Sequence, residues 1–127
     1  MTYYFARTLP LPFEAAVART REALAREGFG VITEIDVRRI LKEKLGAEFR
    51  PYLILGACNP ALAHQALLLE DKVGAMLPCN VVVQDVDGGT EVAAIDPVAS
   101  MQAIPNTELM SKARLVQARL KAVIEGL

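Results

Sequence analysis

Apolar residues recur every three or four positions in four stretches of the chain, which predicts four amphipathic helices. The clearest is residues 13–27, where arginine and glutamate cover the other side and Gly28 is placed to end the helix. The other three are residues 37–45, residues 60–70, and a final helix capped by Asn106 or Thr107. Val73, Met76 and Leu77 indicate one more helical turn before the next strand, although Gly74 disfavours it.

Five other stretches have the composition of β-strands, with β-branched and aromatic residues or continuous apolar runs. They are residues 2–9, 29–37, 51–58, 81–86 and 90–95. The third is apolar throughout, which is typical of a strand in the interior of a sheet. In the second, alternation places Val31, Thr33 and Ile35 on one side. An Asp87-Gly88-Gly89 turn joins the last two strands as a hairpin, and residues 98–105 are expected to form a loop.

Strands and helices alternate along the chain as far as the hairpin, and a last helix follows it. Helices packed against a sheet that contains a hairpin are typical of the α+β class. The length of 127 residues suits one domain, residues 1–127. A hydrophobic fraction of 53% is enough for a core without a disulfide or a metal.

The charge pattern and the hydropathy argue against two classes of partner. The formal net charge is -1, with basic and acidic residues interspersed. A nucleic-acid-binding domain needs a basic excess on one face, so we expect no nucleic-acid partner. No apolar run reaches the roughly 18 residues of a membrane span, and the first residues lack the features of a signal peptide. We therefore expect a cytoplasmic protein without a membrane partner, in which the cysteines are reduced thiols.

Two short phrases place polar residues inside otherwise apolar sequence. The first is Gly56-Ala57-Cys58-Asn59-Pro60, and the second is Pro78-Cys79-Asn80. They contain both cysteines of the chain, each followed by an asparagine, and the single histidine, His64, lies between them. Buried polar groups need partners, either the protein's own or a ligand's. These phrases are therefore the candidate site.

Cys58 allows two interpretations. It ends an apolar strand one residue before a predicted helix, whose N-terminal amides would lower the pKa of the thiol and activate it. The commoner role of such a cysteine is a small buried hydrophobic residue at a tight turn. Asn59 is better explained as the cap of the helix that begins at Pro60. His64, at the second turn, would serve as a base or a ligand beside Cys58, but no zinc-ligand spacing accompanies it, so we expect no metal site.

The relation between the two cysteines depends on how their strands pair. If residues 52–57 and 81–86 form neighbouring strands, we expect Cys58 and Cys79 to lie at opposite ends, whichever direction the strands run. A disulfide needs Cα atoms within about 7 Å of one another. We therefore expect no disulfide between them.

Two other polar groups also have a functional and a structural interpretation. Glu34 and Asp36 lie two positions apart on a strand and so share a face. Paired carboxylates serve acid–base chemistry or hold a divalent ion, but a solvated face in which Asp36 caps the next helix is the simpler interpretation. Arg50 either binds an anion in a pocket or, more simply, lies on the surface.

Further motifs surround the first phrase over nearly the whole chain. They are residues 29–36 upstream, residues 41–46 and 49–52, residues 77–81 downstream, and residues 95–97 followed by Met101. In these motifs the chain resembles the DUF302 family, a domain of unknown function. The resemblance implies a fold similar to that of the TATA-binding protein, with a curved, largely antiparallel sheet of about five strands and helices against it. It also implies a homodimer, and it implies no reaction.

These observations favour a cytoplasmic homodimeric domain that binds a small ligand. The binding site would be formed by Cys58, Asn59, Cys79, Asn80 and His64. One alternative is a cysteine-dependent redox or thiol-transfer enzyme that uses Cys58. The other is a structural or interaction protein in which both phrases are only turns and caps. No cofactor or substrate is identified by the sequence.

Overall fold

The computed structural model describes residues 2–127, and this part of the chain forms five strands and five α-helices. The strands are β1 (Tyr4–Leu9), β2 (Gly30–Asp36), β3 (Tyr52–Cys58), β4 (Cys79–Val86) and β5 (Gly89–Ile95). The helices are α1 (Phe13–Arg26), α2 (Val37–Leu45), α3 (Pro60–Leu69), α4 (Pro97–Ser100) and α5 (Thr107–Glu125). A 3₁₀ helix, Asp71–Met76, follows α3 at the position where one more helical turn is predicted.

All five strands form one antiparallel sheet in the order β1-β5-β4-β3-β2. The predicted α+β class is therefore confirmed. β3 is an interior strand, as its apolar sequence predicts. The β4–β5 hairpin closes with Val86 opposite Gly89, and Gly88 in its turn has a φ of 85°. This left-handed conformation is one that glycine adopts without strain.

The main core lies between one face of the sheet and helices α1 and α5. The strand residues of this face alternate with the residues of the other face and are almost completely buried. They pack against apolar residues of the two helices, and the resulting cluster includes Leu24, Leu55, Val81, Val83, Val92, Leu120 and Val123. The predicted stripes of the first and last helices are therefore their buried faces.

The other face of the sheet, which we call the open face, carries apolar side chains that remain partly exposed. They belong to all five strands and are Tyr4, Ile35, Tyr52, Ile54, Val82 and Ile95. Tyr4 is 41% exposed and Ile35 is 43% exposed. Large apolar surface of this kind is typical of a contact region.

The predicted alternation of β2 is wrong in its first half. The register between β2 and β3 shifts between Val31 and Thr33, which marks a β-bulge. Val31 pairs with Ala57, which belongs to the core face, whereas Thr33 pairs with Gly56 on the open face. Because Ile32 is the extra residue, Val31 and Thr33 do not share a side.

The prediction that residues 98–105 form only a loop is also wrong. Asp96 accepts a hydrogen bond from the backbone N–H of Val98 at 2.9 Å and caps the short helix α4. The Asp96-Pro97 pair is the same helix-start signal as Asn59-Pro60, a capping side chain followed by proline at the first helical position. The helix ends at Ser100, and Met101 no longer has the helical conformation.

Candidate functional site

The two Cys-Asn phrases meet at one end of the sheet. β3 and β4 are antiparallel, and Cys79 is the partner of Ala57 in their register. Cys58 is the next residue along β3. The expectation that strand pairing separates the two cysteines is therefore wrong, because the end of one antiparallel strand meets the start of its neighbour. Both cysteines are free thiols.

A pocket of about 300 Å³ opens beside the two cysteines. We call it the α3–α5 pocket, because those two helices contribute many of its lining residues. The lining side chains are mostly apolar and include Phe29, Ile32, Leu62, Ala63, Ala66, Leu67, Leu77, Met101, Leu109 and Val116. Cys58, Asn59, Cys79 and Lys112 are the lining residues that carry polar or ionisable groups. Ligand pockets in proteins commonly span about 300–1,000 Å³, so this volume is at the small end of that range.

The pocket exists because two hydrophobic clusters do not merge. Phe29, Ala57 and Cys79 belong to the main core. A second, smaller cluster is formed by Ala66, Val73, Met101, Leu109 and Ala113. Members of both clusters line the pocket, and many of them are alanines. Small side chains at these positions leave the space between the clusters open.

Two asparagines hold α3 in place as one wall of the pocket. The Asn59 side-chain oxygen accepts a hydrogen bond from the backbone N–H of Leu62 at 3.1 Å, which confirms its predicted role as an N-cap. At the other end, the Asn106 amide donates to the carbonyl of Leu69 at 3.0 Å. Asn106 also caps α5 by accepting from Leu109 at 3.0 Å, so this one residue joins α3 to α5.

The two cysteines differ in burial and in chemistry. Cys79 is 6% exposed, and its burial, together with the charge of a nearby Cys58 thiolate, raises the pKa of the Cys79 thiol from 9.0 to about 11. At neutral pH the Cys79 thiol is therefore protonated and is a poor nucleophile. Cys58 is half-buried in the pocket wall and is the more accessible thiol.

Two of the predicted site residues do not reach the pocket. Asn80 follows Cys79 in β4, so strand alternation directs it to the opposite side, and it is exposed on the open face, where Gly56 is its partner in β3. His64 is exposed on α3 and lies off the helix face that lines the pocket. The structure brings together Cys58, Asn59 and Cys79, and leaves Asn80 and His64 outside.

Most of the lining residues are absent from the sequence prediction of the site, and three of them, Ile32, Met101 and Lys112, show why. Ile32 lies at the β-bulge, and Met101 follows α4, so both depend on features that were not predicted. Lys112 lies at the border of the apolar stripe of α5, between Leu109 and Val116. A lysine at the border of a stripe is commonly solvated, and only the position of α3 opposite α5 makes it part of a pocket wall.

The other polar groups have structural partners. Glu34 forms an ion pair with Arg21 of α1, and Asp36 caps α2 by accepting from the backbone N–H of Arg39 at 3.0 Å. The Arg50 Nε donates to Gln84 at 2.9 Å, and its guanidinium lies 4.4 Å from the ring centre of Phe49. None of these residues lines the α3–α5 pocket.

Across residues 2–127, no three histidine, cysteine, aspartate or glutamate side chains are grouped as metal ligands would be. Within the same residues, none of the helices has the length and the apolar character needed to cross a membrane.

Comparison with known proteins identifies the family. The model of the family described as "Domain of unknown function DUF302" matches residues 5–127. The chain belongs to the DUF302 family. A crystal structure of an uncharacterized conserved DUF302 protein from Bacillus stearothermophilus has a TM-score of 0.91 to this chain at 29% sequence identity, and the match covers 98% of each chain. The resemblance inferred from the sequence motifs is thus confirmed.

No functionally curated protein matches the chain. DUF302 membership supplies a fold and no activity, and one fold serves many functions. The function must therefore be argued from the pocket itself.

Proposed function

We propose that this DUF302 domain binds a small, largely apolar molecule in the α3–α5 pocket. The observation that carries the proposal is the pocket of about 300 Å³, whose wall is apolar and includes residues of both Cys-Asn phrases. Protein interiors are close-packed and contain few voids larger than a water molecule. An apolar ligand that fills this space would remove its own apolar surface and the apolar surface of the pocket wall from contact with water, which favours binding.

The rim of the pocket supports the same proposal. Ile32 is 62% exposed and Leu67 is 44% exposed, and both line the pocket. An exposed apolar rim around an apolar cavity is typical of a binding site. A bound ligand would contact these two side chains and reduce their exposure.

The polar atoms of the wall have defined roles in this proposal. The Asn59 side-chain oxygen is engaged in capping α3 and its amide nitrogen lies on the side of Gly28, so Asn59 serves to hold α3 in place as a wall of the pocket. The cysteine thiols contribute soft, nearly apolar surface. A protonated Cys79 suits this role better than it suits nucleophilic catalysis.

The test is binding of Nile red, a neutral apolar dye, to the native protein and two variants. Ala63 lines the pocket and Ala61 is exposed on the same helix, so Ala63→Phe fills the pocket and Ala61→Phe is the matched control. We expect the native protein to bind the dye saturably. Ala63→Phe should lower the affinity for the dye at least about tenfold, which corresponds to about 1.4 kcal/mol of binding free energy. We expect Ala61→Phe to bind like the native protein.

Circular dichroism establishes that both variants are folded before their binding is compared. Dye binding that is not saturable, or that both variants retain equally, would overturn the proposal.

We further propose that two copies of the domain associate through the open face, in the cytoplasm. A second copy would cover the half-exposed Tyr4 and Ile35 with the same surface of its partner, as in most symmetric dimers. Two free thiols per chain suit the reducing conditions of that compartment.

A further inference from the structure

The residues that line the α3–α5 pocket include one cationic residue, whose charge a purely apolar ligand would leave without a partner. Lys112 lines the pocket and is half-buried. No carboxylate is among the lining residues. The ion pairs within residues 2–127 join Arg21, Arg39, Lys42 and Lys72 to acidic residues, and none of them includes Lys112.

Two carboxylates adjoin the wall within residues 2–127, and neither forms an ion pair with Lys112: Glu108 lies four positions before it on α5, and Asp96 is engaged elsewhere. Asp96 precedes Pro97, which lines the pocket. Its two oxygens accept hydrogen bonds from the Gln117 amide at 3.0 and 3.2 Å, and one of them also accepts from the backbone of Val98. Asp96 therefore serves to cap α4 and to join it to α5, and it does not neutralise Lys112.

We propose that the natural ligand of the pocket is an amphipathic monoanion, with a short aliphatic chain and a carboxylate. This inference rests on the proposed function and adds the class of ligand. The chain packs against the apolar walls between α3 and α5, and the carboxylate pairs with the Lys112 ammonium. A lysine commonly packs its aliphatic stem along apolar surface while its ammonium reaches water, so a carboxylate at the mouth of the pocket would meet the Lys112 ammonium and fix the orientation of the bound molecule. An ion pair that is partly removed from water is stronger than one on an open surface.

The experiment measures how octanoate, 1-octanol and octylamine displace Nile red at neutral pH. These probes share one chain length and differ in the charge of the head group. We expect octanoate to displace the dye at a concentration about tenfold lower than octanol, which corresponds to an ion pair with a partly buried lysine. We expect octylamine to be the weakest competitor, because its ammonium would lie beside Lys112.

Variants of α5 assign this preference to one side chain. Lys112→Gln is expected to make octanoate and octanol equally effective, each measured against the affinity of the same variant for Nile red. Lys121 is exposed on the same helix and does not line the pocket, so Lys121→Gln is the matched control and should keep the preference for octanoate. Circular dichroism establishes that each variant is folded before its competition data are compared.

The length of the aliphatic chain tests the other half of the proposal. Each additional CH₂ group, from hexanoate to octanoate, should tighten binding about fourfold if the chain is buried in the pocket. An affinity that does not change with chain length would overturn the proposed placement of the chain.

Failure of this inference can be distinguished from failure of the proposed function. If Nile red binds and Ala63→Phe blocks it, while octanoate and octanol compete equally, the pocket binds apolar molecules without regard to charge and only the inference falls. The same holds if Lys112→Gln keeps the preference for octanoate. If neither Nile red nor octanoate binds, both proposals fall.

Discussion

Cys58 and Cys79 occupy equivalent positions in the two sequence phrases, yet they differ in exposure and in chemistry. Cys79 faces the core side of β4 opposite Ala57, whereas Cys58 ends β3 and borders the pocket. The sequence shows that each cysteine precedes an asparagine, but not which thiol is covered, because burial is set by the helices that pack on the sheet. The consequence of this difference in burial is that the Cys79 thiol loses its proton less readily than an exposed thiol does.

The buried Cys79 thiol should make the protein less stable at alkaline pH. Its pKa is raised from 9.0 to about 11 in the folded state, so the unfolded chain loses this proton first and is favoured as the pH rises. The protonated Cys79 thiol makes its full contribution to the free energy of unfolding below pH 9. As the pH rises from 9 towards 11, that free energy falls by about 1.4 kcal/mol per pH unit. The free energy of unfolding from denaturant titrations at several pH values measures it.

Two cysteine variants isolate this effect from other groups that titrate in the same range. Cys79→Ala should lose this part of the pH dependence, whereas Cys58→Ala should retain most of it, because burial is the larger cause of the shift. Equal pH dependence in the native protein and in Cys79→Ala would contradict the prediction.

Gly56 is required in β3 because two side chains occupy the space next to its Cα. A Cβ at this position would overlap the Thr33 Oγ1 and come within 2.7 Å of the Pro78 Cγ. We expect Gly56→Ala to destabilise the protein by about 1–3 kcal/mol, the usual effect of overpacking. Gly30 in β2 has no atom within 4 Å of such a Cβ, so Gly30→Ala is the matched control and should be neutral or slightly stabilising. Similar denaturation midpoints for the two variants would show that Thr33 and Pro78 move aside.

At the scale of helices and strands, local signals predict most of the fold. Asn59 and Pro60 start α3, and Gly46 ends α2 with a φ of 64°. These signals depend on a few neighbouring residues, so the sequence alone is sufficient to recognise them. The bulge at Ile32 and the outward direction of Asn80 depend on the register with neighbouring strands, which no local pattern determines.

The two asparagines of the repeated phrase should contribute very differently to stability. Asn59 caps α3, so Asn59→Ala should cost about 1 kcal/mol, and Asn59→Asp should restore most of the loss. Asn80 is exposed in β4, so Asn80→Ala should change the free energy of unfolding by less than about 0.5 kcal/mol. Equal losses in the two alanine variants would mean that the phrases are equivalent after all.

At the scale of the whole molecule, the candidate site arises from a gap between two clusters of apolar side chains. Each cluster follows from periodic patterns that the sequence reveals, but the space between them depends on how α3 and α5 are joined. Asn106, which caps one helix and binds the end of the other, sets that relation. Lys112 becomes a pocket residue only through this arrangement of the two helices. The sequence therefore predicts Cys58, Asn59 and Cys79 as residues of the candidate site, but it does not predict Lys112.

The open face is the other feature that exists only at this scale, and it predicts the oligomeric state. In a symmetric dimer through this face, Ile35→Lys would place a lysine of each chain in the contact, where both charges lose water and repel one another. Leu68 is 74% exposed on α3, on a helix that lines the pocket, so Leu68→Lys is a control that adds the same charge elsewhere.

Sedimentation equilibrium should give twice the chain mass of 13.8 kDa for the native protein and for Leu68→Lys, and a mass near that of one chain for Ile35→Lys. Because Ile35 is 43% exposed in the single chain, its replacement should leave the fold intact, which circular dichroism can verify. A native protein that sediments as one chain, or an Ile35→Lys variant that remains dimeric, would remove the open face as the dimer contact.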